Sequence, residues 1–126
     1  MDGTSTQGAS RRILVIEDNE DIATTLADLL ELEGHEPILA GSGPEGLDAA
    51  RRHRPDLVIC DIGLPGMDGF EVAAALRANA DLRSTVLVAL SGYGRPEDKE
   101  KAVAAGFDEH LTKPVRFEDL EALLAR

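Results

Sequence analysis

Three short aliphatic runs with no polar interruption set the terms for the whole chain: Ile13-Leu14-Val15-Ile16, Leu57-Val58-Ile59-Cys60 and Val86-Leu87-Val88-Ala89-Leu90. A strand with one wet face alternates apolar and polar residues, so unbroken runs belong to strands covered on both faces, as in a parallel sheet. The segments between them carry helical spacing. Ile22, Leu26, Leu29 and Leu30 predict a helix from about Asn19 to Glu33, stopped by Gly34. Pro37 to Ala40 is a short second strand, and Pro44 to Arg52 is a helix with proline at its first position. Further helices are expected over Phe70 to Asn79 and Pro96 to Ala105, the second stopped by Gly106. A short strand around His110 to Thr112 precedes a last helix carrying Phe117, Leu120, Leu123 and Leu124. Five strand-helix units in alternation require right-handed crossovers and helices on both faces, which is a doubly wound α/β sandwich over residues 11–126. Met1 to Ser10 is small and polar and reads as a disordered tail or linker.

Charge narrows the partners. The chain holds 24 acidic and 13 basic residues, a net charge of -11. Residues 13–50 contain ten carboxylates and no Lys or Arg. Such a field repels phosphate backbones, so nucleic acid is not expected as a direct partner. No apolar stretch approaches the ~20 residues of a membrane span, and the opening lacks a signal peptide's apolar segment, so a soluble, cytoplasmic protein is expected. The single cysteine, Cys60, excludes an internal disulfide or a multi-cysteine zinc site and reads as a small buried hydrophobe.

In an open parallel sheet, ligands bind at the carboxyl ends of the strands, near the point where strand order reverses. The first strand ends in Glu17-Asp18, the third in Asp61 and the fourth in Ser91, while the fifth runs into Lys113-Pro114. Three carboxylates, a hydroxyl and an ammonium therefore meet on one edge. Carboxylates this close repel each other, and a hard divalent cation with oxygen ligands, Mg²⁺ above all, offsets that. A carboxylate is also a nucleophile toward phosphorus, and phosphoryl transfer needs little more than positioning and charge compensation. A competing signal is Gly41-Ser-Gly-Pro-Glu-Gly46, which spells a dinucleotide fingerprint. It follows the second strand rather than the first, and Pro44 removes a backbone donor where Glu45 adds negative charge, so its glycines read as turn formers.

The strand-end residues, with Asp61-Ile-Gly-Leu-Pro-Gly-Met-Asp-Gly69, Ser91-Gly92 and Leu111-Thr-Lys113-Pro114, resemble in order and spacing the receiver domain of two-component response regulators. Thirty positions separate Asp61 from Ser91, and 22 separate Ser91 from Lys113. The resemblance implies a flavodoxin-like, five-stranded sheet of order 2-1-3-4-5 with five helices. It implies that Asp61 accepts a phosphoryl group from phosphohistidine on a sensor histidine kinase or phosphotransfer protein. Such a domain is not an enzyme in its own right, although it assists its own phosphorylation and dephosphorylation. Glu17, Asp18, Asp61 and the main-chain carbonyl of Gly63 would hold Mg²⁺, Lys113 would pair with a phosphoryl oxygen, and Pro114 would follow a cis peptide. Ser91 takes the family's hydroxyl position, and His110 stands where the family's switch aromatic is usually Tyr or Phe.

The chain ends at Arg126, shortly after the last helix, so the expectation is a free-standing regulator, monomeric or weakly dimeric, or a receiver taken from a larger protein. Its wording looks most like receivers attached to hybrid histidine kinases. The alternatives are a pseudo-receiver used only for protein binding and a small nucleotide-binding enzyme using Gly41 to Gly46. The helix Pro96 to Ala105 offers only Val103 and several alanines for burial, which marks it as the element that moves. Tyr93 reads either as loop structure or as a screen over the phosphoryl group; His35 and His53 read as solvated.

Overall fold

The computed structural model describes residues 10–92 and 94–125. The expectations for the first nine residues and for Tyr93 lie outside the described residues. Five strands, β1 (Arg12–Ile16), β2 (Glu36–Ala40), β3 (Leu57–Asp61), β4 (Val86–Ser91) and β5 (Glu109–Thr112), form one sheet. The helices between and after them are α1 (Glu20–Leu32), α2 (Gly43–His53), α3 (Gly69–Ala78), α4 (Pro96–Ala105) and α5 (Phe117–Leu124). All pairings are parallel, in the order β2-β1-β3-β4-β5. Among the described residues no helix is long and apolar enough to cross a membrane.

The unbroken aliphatic runs divide residue by residue between two cores. Ile13, Val15, Ile59, Val88 and Leu90 pack with Leu26 and Leu30 of α1 and Leu120, Leu123 and Leu124 of α5. Leu14, Ile16, Val58, Cys60, Leu87 and Ala89 pack with residues of α2, α3 and α4 on the other face. Cys60 is fully buried, and burial pushes its thiol well above the ordinary cysteine range. Gly46 lets α2 lie against β1, because a Cβ there would sit 2.3 Å from Ile16 Cδ1.

Helix ends differ from the periodicity by a residue or so, and caps account for the differences at α1 and α3. Asn19 caps α1, accepting the Ile22 N–H on its side chain, and so lies outside the helix. Asp68 and Glu71 form a capping box that starts α3 at Gly69. Asn79 leaves α3 to cap a 3₁₀ turn, Ala80–Leu82, that periodicity did not suggest. His35 is half-buried rather than solvated: its Nδ1 accepts the Arg11 N–H at 3.0 Å, and burial lowers its pKa below the usual value.

The two ends of α4 are held unequally. At its C-terminal end, the Arg77 guanidinium donates to the carbonyls of Gly106 (3.0 Å), Arg83 (2.9 Å) and Thr85 (2.8 Å) and pairs with Asp108 at 2.6 Å. Asp108 also accepts the Leu87 N–H, so one guanidinium ties α3 to the starts of β4 and β5. At its N-terminal end, α4 has no side-chain cap. Val103, expected to anchor the helix, is 71% exposed, and the buried residue is Ala102.

Candidate functional site

Strand register builds the site. Ile16 lies beside Cys60, so the next residues along, Glu17 just past β1 and Asp61 at the end of β3, lie side by side in the middle of the sheet. The chain leaves β1 for one flank through β2 and β3 for the other through β4, and a crevice opens between them at the carboxyl edge. Carboxylate oxygens of Glu17, Asp18 and Asp61 all lie within 4.8 Å of one another. Glu17 and Asp61 are 2% and 6% exposed, and Asp18 stands open at the mouth.

The buried acids are held by specific donors. Asp61 Oδ1 accepts the Gly63 N–H at 2.9 Å, and Oδ2 accepts from the Lys113 ammonium at 3.1 Å. The same ammonium lies 2.8 Å from Glu17 Oε1. Glu17 Oε2 accepts the Asn19 N–H at 3.0 Å, while Oε1, buried, meets the ammonium off the hydrogen-bonding axis and has no hydrogen-bond partner. Burial raises the Glu17 pKa; Lys113 and the Asn19 N–H pull it down without cancelling that, and the Asp61 charge adds to the rise. For Lys113 burial works the other way, disfavouring the ammonium, yet the two carboxylates outweigh it and its pKa rises. Three convergent carboxylates, two of them buried and sharing a single ammonium, fit a hard divalent cation.

The hydroxyl and the edge histidine are joined. Ser91 is 2% exposed, and its Oγ lies 2.9 Å from His110 Nε2 while accepting the Gly94 N–H at 3.3 Å. Burial, then the nearby Lys99 charge, lower the His110 pKa against a smaller pull from Asp98. The Lys113–Pro114 peptide is cis.

Glu17, Asp18, Asp61, Gly63 and Lys113 thus meet in one crevice, with Ser91 and His110 on the two strands beyond β3. Sequence reasoning missed Asn19, whose N–H serves Glu17 while its side chain caps α1; an asparagine directly before an acidic first helical turn was the available signal. It also missed Gly69, where a Cβ would stand 2.5 Å from the Asp61 carbonyl oxygen. The Gly41 to Gly46 loop has its donors engaged internally: Glu45 N–H donates to Ser42 Oγ at 3.2 Å and Gly41 N–H to Glu45 Oε1 at 3.1 Å.

Solved structures share this fold. Chemotaxis protein CheY4 of Vibrio cholerae matches with a TM-score of 0.89 at 31% identity, over 94% of this chain and 98% of that one. The receiver domain of a sensor histidine kinase from Pseudomonas aeruginosa, described with a magnesium ion coordinated in the active site cleft, matches with a TM-score of 0.86 at 30% identity, over 94% and 97%. The polar-differentiation response regulator DivK of Brucella ovis is 35% identical over 106 residues, 84% of this chain and 86% of that protein. The response regulator receiver domain model matches residues 13–125, and the chain belongs to that family.

Proposed function

We propose that Asp61 is the phosphoacceptor and that the crevice takes a phosphoryl group from phosphohistidine on a sensor histidine kinase or histidine phosphotransfer protein. The observation that carries this is the shared ammonium: Lys113 compensates Glu17 and Asp61 at once, a charge poised to follow a phosphoryl oxygen. An Asp61 carboxylate oxygen attacks phosphorus and the P–N bond breaks. The leaving nitrogen takes the bonding pair, and the imidazole, protonated on its other nitrogen, departs neutral. Lys113 neutralises charge on the transferred group, and the Gly63 N–H fixes the Asp61 rotamer. Glu17, Asp18, Asp61 and the Gly63 carbonyl are the ligands we assign to Mg²⁺, a choice supported by the magnesium described in the Pseudomonas aeruginosa relative. Bound there, Mg²⁺ supplies positive charge against the carboxylates and the phosphoryl oxygens.

On this reading the domain, residues 11–126, is a cytoplasmic phosphorelay component rather than an enzyme, although it assists its own phosphorylation and dephosphorylation. It is a monomer or weak homodimer that does not bind nucleic acid. Incubation with Mg²⁺ and a small phosphodonor is expected to add one phosphoryl group by intact mass, and the gain should vanish in Asp61→Asn. No gain with any donor would leave a protein-binding pseudo-receiver, and affinity for NAD would return attention to Gly41 to Gly46.

Phosphorylation should also raise amide exchange in α4 and β5 more than in α1, because Ala102 is the buried residue of α4 whereas α1 buries Ala23, Leu26, Ala27 and Leu30. Equal changes in both regions would remove α4 as the responsive element.

A further inference from the structure

Ser91 and His110 both face α4, opposite Leu90 and Leu111, which point into the core formed with α1 and α5. The Ser91 hydroxyl has one proton to give and two lone pairs. The Gly94 N–H takes one lone pair, and among the described residues the ring nitrogen His110 Nε2 lies within reach of the proton at 2.9 Å. A hydroxyl this buried keeps its proton paired, since an unmade hydrogen bond in the interior costs more than a made one gains. The contact can be made by the hydroxyl donating to Nε2 or by an Nε2–H donating to the second lone pair; pairing the buried hydroxyl proton as well selects the first, with the ring proton on Nδ1.

Resting on the phosphoacceptor reading above, we propose that His110 is a positioning residue that restrains Ser91. It holds the hydroxyl proton in the unphosphorylated protein and competes for it with the phosphoryl group, so it sets how tightly the phosphorylated state is held. A phenylalanine at this position has no nitrogen with which to compete. Binding of a phosphoryl oxygen by Ser91 therefore exchanges one hydrogen bond for another instead of adding one. The exchange also disturbs the Gly94 contact, which ties the β4–α4 loop to the same hydroxyl just before the uncapped start of α4.

The test is the Mg²⁺-dependent affinity for beryllofluoride, a tetrahedral phosphoryl mimic, measured by calorimetry on the full chain. His110→Phe should bind about tenfold more tightly than wild type, the equivalent of one neutral hydrogen bond no longer surrendered. His110→Gln, whose amide reaches the same hydroxyl, should return toward wild type. In a Ser91→Ala background His110→Phe should change nothing. Equal affinities of wild type and His110→Phe, or the same tenfold shift without Ser91, overturn the restraint. The ring ¹⁵N shifts of His110 test it without any phosphoryl mimic. An Nδ1-protonated ring that loses this preference in Ser91→Ala is expected, and an Nε2-protonated ring overturns the proposal even where beryllofluoride binds. A wild-type protein that does not bind beryllofluoride with Mg²⁺ overturns the phosphoacceptor reading itself, and the restraint with it.

Discussion

Lys113→Met should destabilise the Mg²⁺-free protein by about 3 kcal/mol, the low end for stripping one partner from a buried ion pair because the ammonium is itself partly exposed. The substitution leaves Glu17 and Asp61 facing each other at 2% and 6% exposure with no cation between them. Glu17 has a way out. Its carboxyl is already held above its ordinary value of 4.5 by burial, and loss of the ammonium pushes it further in the same direction. An acid whose folded pKa exceeds its unfolded one favours the folded state when protonated. The deficit relative to wild type should therefore shrink as the pH falls through the raised Glu17 value toward 4.5, and grow as the pH rises. Divalent cation should restore most of the loss at neutral pH, since it occupies the charge position the ammonium vacates. Urea midpoints of both proteins, with Mg²⁺ and with chelator, at three pH values, check each part. Phosphoryl acceptance should not recover with stability: a drop of roughly 100-fold is expected to remain, because Lys113 compensates the transferred group as well as the resting acids. A variant as stable as wild type in chelator would show that the bridge contributes nothing.

Gly69→Ala should be the most damaging single methyl addition near the site, at roughly 2–4 kcal/mol. Alanine at an exposed first helical position is ordinarily harmless. Here the added Cβ would stand 2.5 Å from both the Asp61 carbonyl oxygen and Ile62 Cα, and those are main-chain atoms that cannot rotate aside. The Gly69 N–H also donates to the Ile62 carbonyl at 3.2 Å, so the start of α3 and the end of β3 are sewn together. Relief requires moving the segment that carries Asp61, and phosphoryl acceptance should fall at least tenfold along with the midpoint. Gly46→Ala makes a useful contrast. Its nearest obstacle is Ile16 Cδ1, the far end of a side chain, and alanine adds helix propensity, so its cost should be the smaller one. Equal costs for the two would mean that the Asp61 main chain yields as readily as an isoleucine tip.

What could be read in the sequence was what each short segment says about itself. The aliphatic runs announced a sheet covered on both faces, and since topology puts function at strand ends, Glu17, Asp18, Asp61, Ser91 and Lys113 could be picked out before any geometry was known. The missed features all depend on partners far away in the chain. Arg77 looks like an ordinary charge in the last turn of α3, yet it serves carbonyls of Arg83, Thr85 and Gly106. Val103 looked like the natural anchor of α4, and only the packed neighbours decide that Ala102 faces inward. The Ser91–His110 contact needs the register that sets Ser91 beside Thr112, which no local pattern encodes.

The spacing of Asp61 from Glu17 and Asp18 comes from β1 and β3 being hydrogen-bonded neighbours, and the separation of those carboxylates, no more than 4.8 Å, is about the separation of adjacent strands. No helix residue contributes to that distance. The distance between the acids is thus written in the backbone ladder rather than on any exposed helix face. Exposed positions on the outer helix faces can therefore drift while the reaction centre keeps its size.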